Sequence, residues 1–323
     1  MRAVVLLAAA ASLWAQLKVE NANLQTTAFS GSLKAVLAAK GVGPYWAAWQ
    51  EPIVAGQHGN MCDGNGNNND APIRLEGPVA LLVMARIENS QVDRLRVSSP
   101  DCRFDGGGLA FHWLTGVPAT ESIAWLQSQV TEKNPDRAIL AIALHAGSAA
   151  EQSLEHLRAA TQPEKVREKA AFWLGNARGA LGVEVLRRML AGDPSIRVRE
   201  QVIFALSQSK EPNAQTIVID AAKNDKTPEV RSKALFWLAQ KAADKQSVDA
   251  IAGAARNDPE RSVKEQAVFA LTQLPKDRGV PLLIDVAKNN PDPAVRKKAM
   301  FWLGQSKDPR ATDFFVQVLT GGR

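Results

Sequence analysis

The sequence predicts a mostly α-helical protein: an α-solenoid of stacked helix pairs, preceded by a small α+β domain. Three observations carry that prediction. A nine-residue pattern, Val-Arg-x-Lys-Ala-x-Phe-Trp-Leu in its fullest form at residues 166–174, recurs from Val198, Val230, Val263 and Val295. The valines are 32, 32, 33 and 32 residues apart, and a fixed period of that size marks stacked two-helix units. Residues 16–130 show no period, and their apolar residues alternate or run in short blocks, as strands do.

The chain has 323 residues, enough for two domains, and 46% of them are hydrophobic, which excludes wholesale disorder. A net charge of +6 and a pI near 9.4 favour acidic partners only weakly. The basic residues form no dense block, so nucleic acid is not an expected partner. Residues 1–15 read as a signal peptide. Arg2 supplies a positive start, residues 3–13 are an apolar run, and Ala15 is the last residue before cleavage. The run is too short to span a bilayer, no later stretch is apolar enough to do so, and no cysteine follows it to carry a lipid. The expected mature protein is periplasmic or secreted, starts near Gln16 and has no stable membrane insertion. Cys62 and Cys102 are the only cysteines, and in an exported protein such a pair forms one disulfide. Two buried thiols are the alternative; a metal site lacks the accompanying CxxC or clustered histidines.

Within residues 16–130, residues 17–29 read as extended and 31–39 have helical spacing. Residues 45–54 hold Trp46 and Trp49. Residues 72–76, 78–87 and 92–98 read as strands, with 79–84 buried. A Gly106-Gly107-Gly108 break precedes a short strand at 109–113, and Thr120 reads as the N-cap of a helix through Val130. The expectation is a mostly antiparallel sheet clipped by the disulfide. In residues 63–70, Asp and Asn at alternate positions suggest a calcium loop. Asn68 and Arg74 stand where an EF-hand needs Gly and Glu, so a polar Gly/Asn turn is the preferred reading.

In residues 131–323 each repeat reads as two helices. Pattern positions 1, 5, 8 and 9 share one helical face. A second helix follows with Leu186, Val218, Ile251, Leu283 and Phe315 in one buried register and Met189, Ala221, Ala254, Val286 and Val318 in another. The one spacing of 33 places an inserted residue near 241–247. Asp193-Pro194, Thr227-Pro228, Asp258-Pro259 and Asp292-Pro293 read as N-caps with proline at the first helical position. The offset from cap to valine then alternates between five and three. Trp173, Trp237 and Trp302 alternate with Ala205 and Ala270, suggesting large and small residues at one core position. Residues 137–144 with Leu154 and Leu157 form a degenerate first repeat. At the other end Phe314 is expected to lie partly exposed.

Asp292-Pro293-Ala294-Val295-Arg296, with Ala299 and Leu303-Gly304, resembles the HEAT-repeat superfamily, in the short HEAT-like class named for phycobilisome lyases. Val166-Arg167 with Leu174-Gly175 is similar. The resemblance covers 131–323 and implies a right-handed α-solenoid of HEAT-like helix pairs used for scaffolding and protein recognition. The lyases of the class attach bilins to phycobiliproteins. The whole arrangement also resembles exported bacterial HEAT-repeat proteins.

The basic residue at position 2 (Arg167, Arg199, Arg231, Lys264, Arg296) either binds an acidic ligand or, as preferred, pairs with cap aspartates or loop carbonyls. Phe172, Phe204, Phe236, Phe269 and Phe301 lie off the centre of the core face and form a column along the stack. They either pack between neighbouring helices or offer an aromatic stripe to a partner, and they are the candidate binding residues. Of the four histidines, His112 reads as a surface strand residue. No catalytic, metal or cofactor constellation is legible. The function expected is therefore an exported, non-catalytic scaffold for a protein or peptide. The alternative is a lyase-like accessory protein holding a small aromatic ligand against the phenylalanines or against Trp46 and Trp49.

Overall fold

The computed structural model describes residues 18–41, 43–57, 80–100, 102–241 and 244–321. The chain divides into two compact units, residues 1–129 with 140–150, and residues 130–139 with 151–323. Cys62, the 63–70 loop, His58, the signal segment and the expected strand at 72–76 lie outside the described residues.

The first unit contains β1 (Lys18–Glu20), β2 (Asn23–Ala28), α1 (Leu33–Ala38), β3 (Tyr45–Pro52), β4 (Ala80–Glu88), β5 (Gln91–Ser98), β6 (Arg103–Asp105), β7 (Ala110–Thr115) and α2 (Ala119–Ser128). The main sheet runs β2-β7-β3-β4-β5, and β1 pairs with β6 in a separate ribbon. The sheet is mixed, not mostly antiparallel. β7 runs parallel to both β2 and β3, while β3–β4 and β4–β5 are antiparallel. The β4–β5 hairpin announces itself through a two-residue turn, but β2 meets β7 over a long sequence separation that no local pattern reports.

β4 is apolar and buried from Ala80 to Ala85, where it lies between β3 and β5. α2 begins one residue before Thr120, after Pro118, and has no side-chain cap. Proline supplies a fixed φ and has no N–H, so the helix starts directly behind it. Glu121 in the first turn instead accepts from the Leu33 backbone N–H at 3.2 Å, tying α2 to the start of α1. His112 is buried, not a surface residue, because β7 is an inner strand; its ring meets Tyr45 edge-on at 5.3 Å.

The second unit is built on helix pairs. α3 (Asp136–Leu144) and α4 (Ser148–Leu157) are the degenerate pair. Residues 140–150, read from the sequence as solenoid, belong to the first unit. There Val54 N–H donates to Leu144 O at 2.8 Å and Ala146 N–H to Pro52 O at 2.9 Å. Five pairs follow: α5 (Glu164–Ala177) with α6 (Gly179–Gly192), α7 (Ile196–Gln208) with α8 (Pro212–Asn224), α9 (Pro228–Lys241) with α10 (Lys245–Asn257), α11 (Arg261–Gln273) with α12 (Lys276–Asn289), and α13 (Pro293–Gln305) with α14 (Pro309–Leu319).

The odd-numbered helices of these pairs carry the pattern. Their valines, alanines and leucines at positions 1, 5 and 9 are buried, as in Val198, Val202 and Leu206. One further position is small in every repeat: Gly182, Ala214, Ser247, Gly279 and Ala311, all buried. It lies where the second helix crosses the first. A Cβ on Gly182 would sit 2.1 Å from the Leu174 carbonyl oxygen, and one on Gly279 would sit 2.4 Å from that of Leu271. This periodic signal is present in the sequence.

Two expectations fail at the loops and the end. Asp193 and Asp258 are not N-caps; they are the C-caps of α6 and α10. The next helices are capped by Ser195 and Glu260, while Asp292 does cap α13 with Pro293 behind it. With the loop residues matched by structure, Asp193, Asp225, Asp258 and Asn290 each stand five residues before a pattern valine, and the alternating offset disappears. At the end of the stack Phe314 is buried, whereas Phe315 is half-exposed and Val316, Val318 and Leu319 are exposed. Among the described residues no further helix pair packs over these registers.

Candidate functional site

The arginines at position 2 prove to be the internal fasteners of the stack. Arg167 Nε lies 2.8 Å from Asp193 Oδ2 and Nη2 lies 3.1 Å from Oδ1, a bidentate pair with both side chains buried. Arg231 and Asp258 repeat it with both bonds at 2.8 Å. Arg199 pairs with Asp225 and donates to Thr227 Oγ1 at 3.0 Å. Each acid also accepts a backbone N–H two residues on, from Ser195, Thr227 and Glu260, which folds the loop. Asn290 keeps that turn by accepting from Asp292 N–H at 3.0 Å, and its partner position holds Lys264. Where the acid becomes neutral, the bidentate arginine has gone too. These side chains are consumed by structure and are not a ligand ladder.

The phenylalanine column lies on the outer face of the pattern helices. Phe172, Phe204, Phe236 and Phe269 are half-buried, and Phe301 is 54% exposed. The rings pack against neighbours and still reach solvent. Phe172 stacks on Phe204 at 6.0 Å and 18°, where Ala205 leaves room. Phe204 meets Trp237 at 4.8 Å, and Phe269 meets Trp302 at 5.4 Å. Position 8 is therefore not a core position alternating large with small. Ala205 and Ala270 are buried, but the tryptophans are half-exposed and lean back onto the preceding phenylalanine. Trp173 Nε1 donates to Asp136 Oδ1 at 3.1 Å, while Trp237 Nε1 and Trp302 Nε1 are buried with no acceptor among the described residues.

A cleft of 480 Å³ opens on this face between α7, α9 and α11, with Glu200, Lys233, Phe236 and Gln266 among its walls. The pattern helices approach one another more closely than the second helices do.

The first unit brings together a constellation that the sequence reading missed. Trp49 Nε1 donates to Ser122 Oγ at 2.8 Å, and Ser122 Oγ lies 2.8 Å from His145 Nε2. His145 Nδ1 lies 2.7 Å from the Ala141 carbonyl, so Nδ1 carries the proton and Nε2 accepts from serine. The pair has the spacing of a nucleophile and its base, but both residues are fully buried. Burial holds His145 neutral, its pKa pushed down to about 4. The chain of bonds satisfies buried polar groups that join β3, α2 and α3. Glu51, on the same strand face as Trp49, is 2% exposed and its pKa is pushed up to about 8 by desolvation. Trp46 lies on the opposite face, against the cluster of Ala48, Leu82, Met84 and Phe111.

No group of three or more His, Cys, Asp or Glu that could hold a metal occurs among the described residues. No helix among them is long and apolar enough to cross a membrane. Cys102 is buried beside Ser98, whose Oγ lies 3.4 Å from its sulfur.

Fold and site together define a helix-pair repeat scaffold with a half-exposed aromatic column along its pattern helices. A family model described as HEAT repeats matches residues 150–239 and 248–322, just over half of the chain, and the chain belongs to that family. Among solved structures it is similar to the complex of CpcE and CpcF of phycocyanin lyase from Nostoc sp. PCC7120. That match has 22% identity and a TM-score of 0.36 and covers 48% of this chain and 99% of the other. It is also similar to human deoxyhypusine hydroxylase in complex with glycerol, at 16% identity and a TM-score of 0.28, covering 58% and 85%. No curated protein matches.

Proposed function

We propose that this protein is an exported, non-catalytic scaffold that binds a protein or peptide through the phenylalanine face of its repeats. The observation that carries the reading is the half-exposed phenylalanine column, since a contiguous aromatic stripe on a folded surface marks a contact site. Five pairs of the same construction give that stripe length, which suits an elongated partner. The buried Ser122–His145 pair offers no substrate access, which supports a binding role over catalysis. A small aromatic ligand is the weaker reading, because Phe236 is the one aromatic residue lining the cleft and Trp49 is fully buried.

The test is a photo-crosslinking residue at position 236, with position 217 on α8 as the comparison. The scaffold reading expects adducts to a partner from 236 and none from 217. Equal labelling from both would remove it. Export is tested separately by sequencing the amino terminus of protein recovered outside the cytoplasm; a start near Gln16 is the expected result.

A further inference from the structure

The phenylalanine column does not stand alone on its face. One turn further along each pattern helix stands a carboxamide: Asn176, Gln208, Gln240, Gln273 and Gln305. Gln208 is half-buried and the other four are exposed. One turn before each phenylalanine the residues alternate: Lys169, Gln201, Lys233, Gln266 and Lys298. Positions 4, 7 and 11 lie roughly 4.5 and 6 Å apart along a helix axis and on one side of it. The stack therefore carries three parallel rows, with aromatic rings in the middle and polar groups on both flanks.

The amide row is held in place. In the second and fourth repeats Ser207 and Thr272 hydroxyls donate to the Phe204 and Phe269 carbonyls at 2.7 and 2.6 Å. The same hydroxyls accept from Gln208 Nε2 at 3.0 Å and Gln273 Nε2 at 2.9 Å. Between rungs, Gln240 Nε2 donates to Gln273 Oε1 at 3.4 Å, a weak bond that a better partner can replace. A carboxamide offers both a donor and an acceptor, the complement of a peptide group. Orientation set beforehand lowers the ordering cost of binding.

We infer, building on the scaffold reading, that the occupant of this face is an extended, polyproline-II-like polypeptide segment. Its backbone is read by the amide row and its apolar side chains lie against the phenylalanine column. Packed helices stand about 8–10 Å apart, and a polyproline-II chain rises about 9.3 Å over each three-residue turn. One residue in three thus presents the same backbone group to each successive rung. A polyproline-II chain has no internal hydrogen bonds, so its carbonyls are available to the amides. Glu168, Glu200 and Glu265 interleave with the lysines, which disfavours an anionic polymer such as nucleic acid.

The experiment pans a phage-displayed library of random dodecapeptides on the full chain. A labelled synthetic copy of the most enriched peptide is then titrated by fluorescence anisotropy. The expected sequences carry proline or apolar residues at every third position. Gln240→Leu/Gln273→Leu is expected to weaken binding about tenfold. Both side chains are exposed, so its helicity and melting temperature should match the parent. Equal binding by that variant, or enriched sequences with helical i, i+3, i+4 spacing that still depend on Phe236, would overturn the extended-chain inference and leave the scaffold reading standing. No enrichment over background would remove both, and tighter binding of a labelled single-stranded oligonucleotide than of the peptide would remove the inference.

Discussion

Asp258 does two jobs at once, and substitutions that separate them give a quantitative test of how the repeats hold together. Its carboxylate forms a bidentate pair with Arg231 and accepts the Glu260 backbone N–H at 2.9 Å. The two side chains are 7% and 4% exposed, and the pair holds the arginine pKa above its ordinary value. Asp258→Ala leaves a buried guanidinium with its Asp225 carbonyl bond at 2.8 Å but without its bidentate carboxylate. Breaking a buried pair in this way costs about 3–5 kcal/mol. In a unit of this size that lowers the melting temperature by roughly 10 °C. Asp258→Asn keeps the turn and loses the charge, so it should fall between Ala and the parent, as Asn290 does in the fourth repeat. Adding Arg231→Met to Asp258→Asn removes the stranded charge and should recover much of the loss. The assay is urea unfolding followed by circular dichroism. A cost below about 1 kcal/mol for Asp258→Ala would refute the argument, since a buried unpaired arginine cannot be that cheap.

Gly182→Ala should destabilise by about 1–3 kcal/mol, because its Cβ would meet the Leu174 carbonyl at 2.1 Å; the same unfolding curves measure it. Glu51 has a folded pKa near 8, above its ordinary 4.5, so the native state holds a proton that the unfolded state releases across that interval. Stability should therefore fall as pH rises from 4.5 to 8, and Glu51→Gln should flatten that slope and raise the melting temperature most at pH 8.5. His145 acts in the opposite sense, since its folded pKa of about 4 lies below 6.5. It costs stability as pH falls from 6.5 toward 4, and His145→Gln should remove that loss. If Cys62 and Cys102 form a bridge, intact mass should be two hydrogens short until reduction, and reduction should destabilise the first unit by roughly 3–4 kcal/mol.

The solenoid was legible because each structural position keeps one kind of residue at a constant period. Val198 and Val230 are the same place in the fold and look the same in the sequence. The Asp-Pro signals misled for a physical reason. An Asx turn and an N-cap use the same residue to do similar work, so Asp193 closing one helix resembles Asp292 opening another. The acid's real partner stands 26 or 27 residues earlier, beyond any capping pattern. The exposure of the phenylalanines could not be read, because position 7 lies at the edge between core and solvent and packing alone decides. The carboxamide row and the small crossing residue were in plain view as columns, but neither type signals chemistry when read singly. In the first unit, Ser122 and His145 meet because α3 returns to β3, a contact no spacing announces.

The fasteners also bear on how the stack can grow. Each arginine and the acid it holds fall within a single period, Arg167 with Asp193 and Arg231 with Asp258. A duplication or deletion that adds or removes one whole period between these pairs carries arginine and acid together and leaves no charge orphaned. A change of any other length strands one of them in the interior. The number of rungs is thus free to vary while their phase is locked, so the length of the phenylalanine face is the property this architecture can most readily alter.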